Sequence, residues 1–256
     1  MMDQYKDGNI ITTTSNGITT VEFYHPQSNS LPGKILEKLA AEINAAGTIK
    51  ESTVIILKSS GAKTFCAGAS FDELLQIKTE AEGLQFFSGF ANVINAMRVC
   101  PKFIIARIQG KCVGGGVGLA AAADYAIALD TADIKLSELA VGIGPFVVGP
   151  AVERKLGVSA FTALSIDATS WRNSSWALEK GLFAEVHNTI ENVDASIEKL
   201  ANTLSQSSPE AMAELKKVFW QGTEHWNKLL AERAAISGRL ILSEFSKNAI
   251  EKFKAK

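Results

Sequence analysis

The cluster Gly114-Gly115-Gly116-Val117-Gly118 does most to limit what this chain can fold into. It follows the apolar run Phe103 to Ile108 and precedes the alanines at 120–123. A short apolar run reads as a buried strand, glycine lets backbone turn sharply and approach other groups closely, and alanine is the strongest helix former. The segment is therefore predicted as strand, turn and helix, with the helix starting among the glycines. The first N–H groups of a helix lack partners and sit at the positive end of its dipole, so they can hold a negative oxygen without any charged side chain. Tight strand–helix packing is the other use of such glycines.

A second stretch of small residues, Cys66-Ala67-Gly68-Ala69-Ser70, follows a predicted strand at 54–57 and the loop at 59–63. It too exposes backbone. One carboxylate, Glu138, stands twenty residues after Gly118 between Ser137 and Leu139. Taken alone, a glutamate in that setting reads as a solvated surface residue.

Elsewhere the chain alternates strand and helix signals. Residues 10–14 and 18–23 are β-rich runs joined by Ser15-Asn16-Gly17, a hairpin signal. Residues 32–46 place Ile35, Leu36, Leu39 and Ile43 on one helical face. Strands at 54–57 and 103–108 flank a helix over 79–97, and residues 125–129 and 184–187 read as further strands. This alternation argues an α/β fold. From about residue 193 the pattern becomes helical, over 195–204, 210–219 and 223–252. The expected division is an α/β core over 1–194 and a helical region over 195–256.

A chain of 256 residues that is 46% hydrophobic can bury a large core. A net charge of -1 carries no basic signature, and no basic–aromatic motif is present, so nucleic acid is not an expected partner. No apolar run approaches the roughly 20 residues that span a bilayer, and the first ten residues are polar, so no membrane is expected and the reading is cytoplasmic. Cys66, Cys100 and Cys112 lack metal-ligand spacing and read as reduced packing thiols, with Cys66 open to a place beside a ligand. No metal site is expected. His25, His187 and His225 accompany no nucleophile motif and read as turn or surface residues, and Trp171, Trp176, Trp220 and Trp226 as packing residues.

The segment 65–74, the glycine cluster and the run Leu136-Ser137-Glu138-Leu139-Ala140-Val141-Gly142-Ile143-Gly144-Pro145 together resemble the crotonase superfamily, the enoyl-CoA hydratase/isomerase family. Within it the text is most similar to the methylglutaconyl-CoA hydratase-like subgroup. The resemblance extends to residues 25–31, to Ser208-Pro209-Glu210-Ala211 with Lys216, and to the closing run 251–254, thus covering about 8–256. It implies a crotonase-like (ClpP/crotonase) spiral of β-β-α units with a helical carboxyl-terminal region that packs in trimers or in hexamers built from two trimers. Phe245 and Phe253 fit either that interface or ordinary core packing.

The resemblance also implies roles. The N–H groups of Ala69 and Gly115 form the oxyanion hole for an acyl-CoA thioester. Ala67 accepts from the adenine amino group, and Gly68, Gly114 and Gly118 line the substrate. Coenzyme A is then part of the substrate, and no separate cofactor is called for. Lys252 and Lys254 either reach CoA phosphates or form a solvated charge run. Asp124 is structural, and Ser70 replaces the family's usual aspartate.

Hydratases of the family use two glutamates, and the position of the first is Gly118 here. The second is Glu138, whose apolar neighbours Leu139, Ile143 and Phe146 should raise its pKa into the range of a general acid or base. The expected activity is reversible hydration of a 2-enoyl-CoA. The subgroup this chain resembles also has glycine at the first position, so the missing glutamate weakens hydration without excluding it. One carboxylate fits a Δ3,Δ2-enoyl-CoA isomerase with Glu138 as the sole shuttle as the second reading, and the absent first glutamate motivates an inactive acyl-CoA-binding scaffold as the third. Acyl length should be set by the loops around 71–90 and 143–150.

Overall fold

The protein is described by a computed structural model covering residues 6–254. Strands β1 (Asn9–Ser15) and β2 (Gly17–Tyr24) form the expected hairpin. Ser15 pairs with Ile18, so Asn16 and Gly17 make a two-residue loop, and their φ values of 51° and 78° give the left-handed turn that matches strand twist. Helix α1 (Gly33–Thr48) buries Ile35, Leu36, Leu39 and Ile43, as their spacing dictates.

Three units of one construction follow. β3 (Ser52–Ser59) and β4 (Thr64–Cys66) lead to α2 (Phe71–Leu74) and α3 (Glu80–Val99); β5 (Phe103–Ile108) and β6 (Lys111–Val113) lead to α4 (Gly115–Ala122); β7 (Tyr125–Leu129) and β8 (Ile134–Lys135) lead through a 3-10 turn at Leu139–Val141 to α5 (Gly149–Ile166). In each unit the first strand joins a large sheet and the second a small one. With α6 (Ser174–Glu179) and β9 (Glu185–His187) the large sheet has the order β1-β2-β3-β5-β7-β9, parallel except for the hairpin, while the small sheet is parallel with the order β4-β6-β8. This is the β-β-α repeat that the resemblance implies.

The main core lies against one face of the large sheet, filled by α1, α3 and α4. Helix α7 (Ile190–Ser205) covers the other face, packing Val193, Ile197 and Ala201 on Val54, Ile105 and Ile127. It runs across residue 194, where the core was expected to end, and belongs with the sheet. Helices α8 (Pro209–Phe219), α9 (Trp226–Leu240) and α10 (Glu244–Lys254) complete the chain. α9 lies along α3 at a glycine-to-glycine crossing, for a methyl placed on Gly83 would stand 2.6 Å from the Gly238 backbone.

Several expectations change. The helix expected over 223–252 is two helices, because Ser246 Oγ donates to Leu240 O at 3.0 Å and its N–H donates to Ser243 Oγ at 3.2 Å, closing a turn between them. α5 and α6 and the short strands of the small sheet have no counterpart in the sequence reading. α5 hides its periodicity behind a break at Gly157, whose φ of 80° and ψ of 160° are not helical. His25 does follow β2 at a turn, but it is buried rather than on the surface, with Nδ1 3.1 Å from Ser30 Oγ. Trp171 is 40% exposed and carries Lys111 and Lys135 over its ring instead of packing in the core. Among the described residues no helix is long and apolar enough to cross a membrane.

Candidate active site

The three strands of the small sheet run parallel, with a register shift between Thr64 and Cys66 that brings Cys66 beside Cys112, and with Val113 beside Lys135. Their carboxyl ends therefore open at one edge, the place where parallel α/β sheets bind ligands. β4 continues into Ala67-Gly68-Ala69, β6 into Gly114-Gly115, and β8 into Ser137-Glu138. Segments as far apart in the chain as Ala67 and Glu138 thus meet around one cavity, lined by all of these residues and offering about 50 Å³ of room for water.

Gly114 caps α4 with φ 51° and ψ -112°, and its N–H donates to Lys135 O at 2.8 Å, which fastens the glycine turn to the strand that leads into Glu138. Gly115 opens the helix, where no carbonyl one turn back exists to receive its N–H. Gly68 lies opposite, so close that a methyl on it would stand 3.4 Å from Gly115 N. Leu31 N donates to Gly68 O at 2.8 Å and Ala67 N to Ser28 O at 3.2 Å, which fixes the small-residue loop against the segment after β2. Ser70 caps α2 by accepting from Glu73 N at 3.5 Å, and Glu73 Oε2 accepts from Gly33 N at 2.7 Å.

Glu138 keeps part of its surface exposed, but its carboxyl is enclosed, and Oε2 is buried with no hydrogen-bond partner among the described residues. Burial in this apolar setting pushes its pKa up to about 7. It is the one titratable side chain among the lining residues. Its main-chain carbonyl accepts from Val141 N and Ile143 N, which holds the turn that aims the side chain.

Gly118 does not line the cavity. A methyl built on it would stand 2.5 Å from Val148 Cγ1, and Val148 itself forms the wall at this point. The position expected to contact substrate is thus set behind a valine, which fills the space a glutamate would need.

Much of the remaining wall falls within 71–90 and 143–150, the stretches expected to set acyl length, although Val141 and Ser237 lie outside them and the sequence did not single out which residues would face the cavity. Phe87 and Phe90 come from α3 and Ser237 from α9; a methyl on Gly115 would meet Phe90 Cε1, so that ring covers the glycine turn. The spacing of Phe86, Phe87 and Phe90 marks a buried helical face, yet nothing in it says which ring reaches the site.

Groups nearby serve structure. Cys66 is fully buried and accepts from Gly68 N at 3.4 Å, and burial pushes its thiol up to about 12, so it packs under the loop as a neutral group. Burial likewise raises Cys100 and Cys112. Asp124, just past α4, accepts from Ile104 N and Lys216 Nζ, each at 2.7 Å, and from Trp220 Nε1 at 3.3 Å, tying α4 to β5 and α8. His187 is held by Glu185, far along the large sheet. Lys252 is exposed on α10, and the side chain of Lys254 lies outside the described residues.

The sequence model for enoyl-CoA hydratase/isomerase matches residues 13–255. The mitochondrial methylglutaconyl-CoA hydratase of Mus musculus is 30% identical over 77% of this chain and 63% of its own. The trans-2-decenoyl-[acyl-carrier-protein] isomerase of Streptococcus mutans is 26% identical over 84% of this chain and 82% of its own. Among solved structures, an enoyl-CoA hydratase from Bacillus halodurans superposes with a TM-score of 0.87, covering 95% of this chain and 99% of that one at 21% identity, a likeness of fold.

Proposed function

Because the chain belongs to the enoyl-CoA hydratase/isomerase family, we propose that it adds water reversibly across the 2,3 double bond of an enoyl-CoA thioester. The observation that carries this reading is the enclosed Glu138 carboxyl facing the glycine turn, with a pKa near 7 that leaves both protonation states populated near neutrality. The thioester oxygen sits between the N–H groups of Ala69 and Gly115, which need no charge to favour an oxyanion. The water oxygen bonds to carbon 3 while its proton passes to the Glu138 carboxylate. The double-bond pair moves onto the thioester oxygen as an enolate, and Glu138 then gives the proton to carbon 2. Elimination is the same path reversed. Ala67 and the loop around it are assigned to the CoA end. Methylglutaconyl-CoA hydratase among the relatives supports hydration.

A second reading is favoured by Val148, which occupies the space beside Gly118 and leaves Glu138 as the sole titratable group on the cavity wall. One carboxylate suffices to take a proton from carbon 2 of a 3-enoyl thioester and return it to carbon 4. The isomerase among the relatives agrees with it. Assembly as a trimer or hexamer belongs to the proposal too, supported by Phe245 and Phe253, 65% and 41% exposed on α10.

Incubation with 2-enoyl- and 3-enoyl-CoA in heavy-oxygen water, read by mass spectrometry, separates the readings. Label at carbon 3 supports hydration. Conversion of the 3-enoyl to the 2-enoyl thioester without label replaces it with isomerisation, and no turnover of any thioester leaves a binding scaffold.

A further inference from the structure

Two cavities meet at Gly144-Pro145-Phe146. The first is the site around Glu138, with its 50 Å³. The second offers about 350 Å³ and is lined by Leu139, Pro150, Phe161, Thr162 and Ile166, with Glu153 and Arg233 as its charged members. Gly144, Pro145 and Phe146 belong to both walls. The Phe146 ring folds back over Gly144, where a methyl would stand 2.7 Å from Cε2 and 2.9 Å from Cζ, and Phe146 N donates to Gly144 O at 2.7 Å. The partition between a small and a large apolar space is therefore the tight turn Gly144-Pro145-Phe146, whose largest side chain is the half-buried Phe146 ring.

A volume of 50 Å³ holds only a few waters, at roughly 10–15 Å³ for each. Phe87, Phe90, Val141 and Val148 line the small cavity together with Phe146, and room for a few waters matches a short acyl group rather than a long one. We infer that Phe146 is the residue that sets acyl length, and that the space behind it takes the distal methylenes of a longer acyl chain once the ring is removed. The inference rests on the acyl-thioester reading of the site. The occupant follows from continuity: the second cavity begins where the first ends, and its wall is largely apolar. Each methylene moved from water into such a space tightens binding about fourfold.

Isothermal titration calorimetry with saturated butyryl-, octanoyl- and dodecanoyl-CoA tests this, since thioesters without a double bond report binding apart from the reaction. Wild type should bind butyryl-CoA at least about tenfold more tightly than dodecanoyl-CoA. Phe146→Ala should reverse that order, and adding Phe161→Trp, which refills the second cavity, should restore it. Phe146→Leu, a milder truncation, should move the ratio in the same direction and serves if the alanine variant does not fold. An unchanged ratio in both Phe146 variants, or wild-type preference for the dodecanoyl thioester, overturns the partition while leaving the acyl-thioester site in place. Failure of wild type to bind any of the three overturns that reading and the partition with it.

Discussion

A β-carbon on Gly114 would stand 3.0 Å from Glu138 Oε1 and 3.3 Å from its Cδ, so the turn that starts α4 and the carboxyl group after β8 are in contact across the candidate site. The two residues belong to different β-β-α units and meet because β6 and β8 are neighbours in the small sheet.

That contact makes Gly114 sensitive to the smallest change. Gly114→Ala puts a methyl against the carboxyl and strains a backbone held at φ 51°. Turnover should fall by about a hundredfold or more as Glu138 is displaced, since a 1 Å misplacement carries that cost. Saturated acyl-CoA affinity should change far less. Steady-state kinetics beside calorimetry check the split, and equal losses in both would mean the substitution had damaged the fold.

Removing the proton carrier should cost more than moving it. Glu138→Gln keeps the shape and loses the titration, and turnover should drop by about 10² to 10⁴ with thioester binding retained. In wild type, hydration and isomerisation both begin with the carboxylate form, so kcat/KM, which reports the free enzyme, should rise with pH through about 7 and then level. The variant's residual rate should lack that inflection.

The same group links pH to stability. Its folded-state pKa of about 7 lies above the 4.5 of an ordinary glutamate, so the folded protein holds the proton more tightly than the unfolded chain and loses stability as pH rises through this window. Relative to wild type, Glu138→Gln should therefore gain up to roughly 3 kcal/mol at pH 8 and little at pH 4. Urea unfolding at both pH values measures the difference, and an equal effect at both would place the carboxyl in water.

Restoring the family's first glutamate should fail unless space is made for it. Gly118→Glu drives its side chain into Val148 and should destabilise the fold by about 1–3 kcal/mol. Gly118→Glu with Val148→Gly should recover part of that loss. If the double variant also raises label incorporation from heavy-oxygen water, the second carboxylate limits hydration in the natural chain.

Asp124 and Lys216 form a buried ion pair with side chains only 8% and 3% exposed. Lys216→Met leaves the carboxylate buried without its cation and should cost about 3–5 kcal/mol. Thermal unfolding checks this, and a loss below 1 kcal/mol would mean that the remaining donors to Asp124, Ile104 N and Trp220 Nε1, hold the carboxylate without the cation.

The sequence by itself determined the hairpin, because Asn16-Gly17 supplies two residues that tolerate positive φ, and it determined α1, because the spacing of Ile35, Leu36, Leu39 and Ile43 has a single helical solution. It also marked the start of α4 and the loop 66–70, since their small residues expose backbone whatever the rest of the chain does. Glu138 was legible only through resemblance, for a glutamate between Ser137 and Leu139 has no local sign of burial. Tertiary structure alone decided the rest. Short strands such as β6 and β8 are too brief to carry a period, and α5 is broken at Gly157. Whether Gly118 faces substrate or Val148, and whether Phe90 and Phe146 reach the site, depends on contacts between units far apart in the chain. Local propensity contains no term for such contacts, and close packing of the folded chain fixes them.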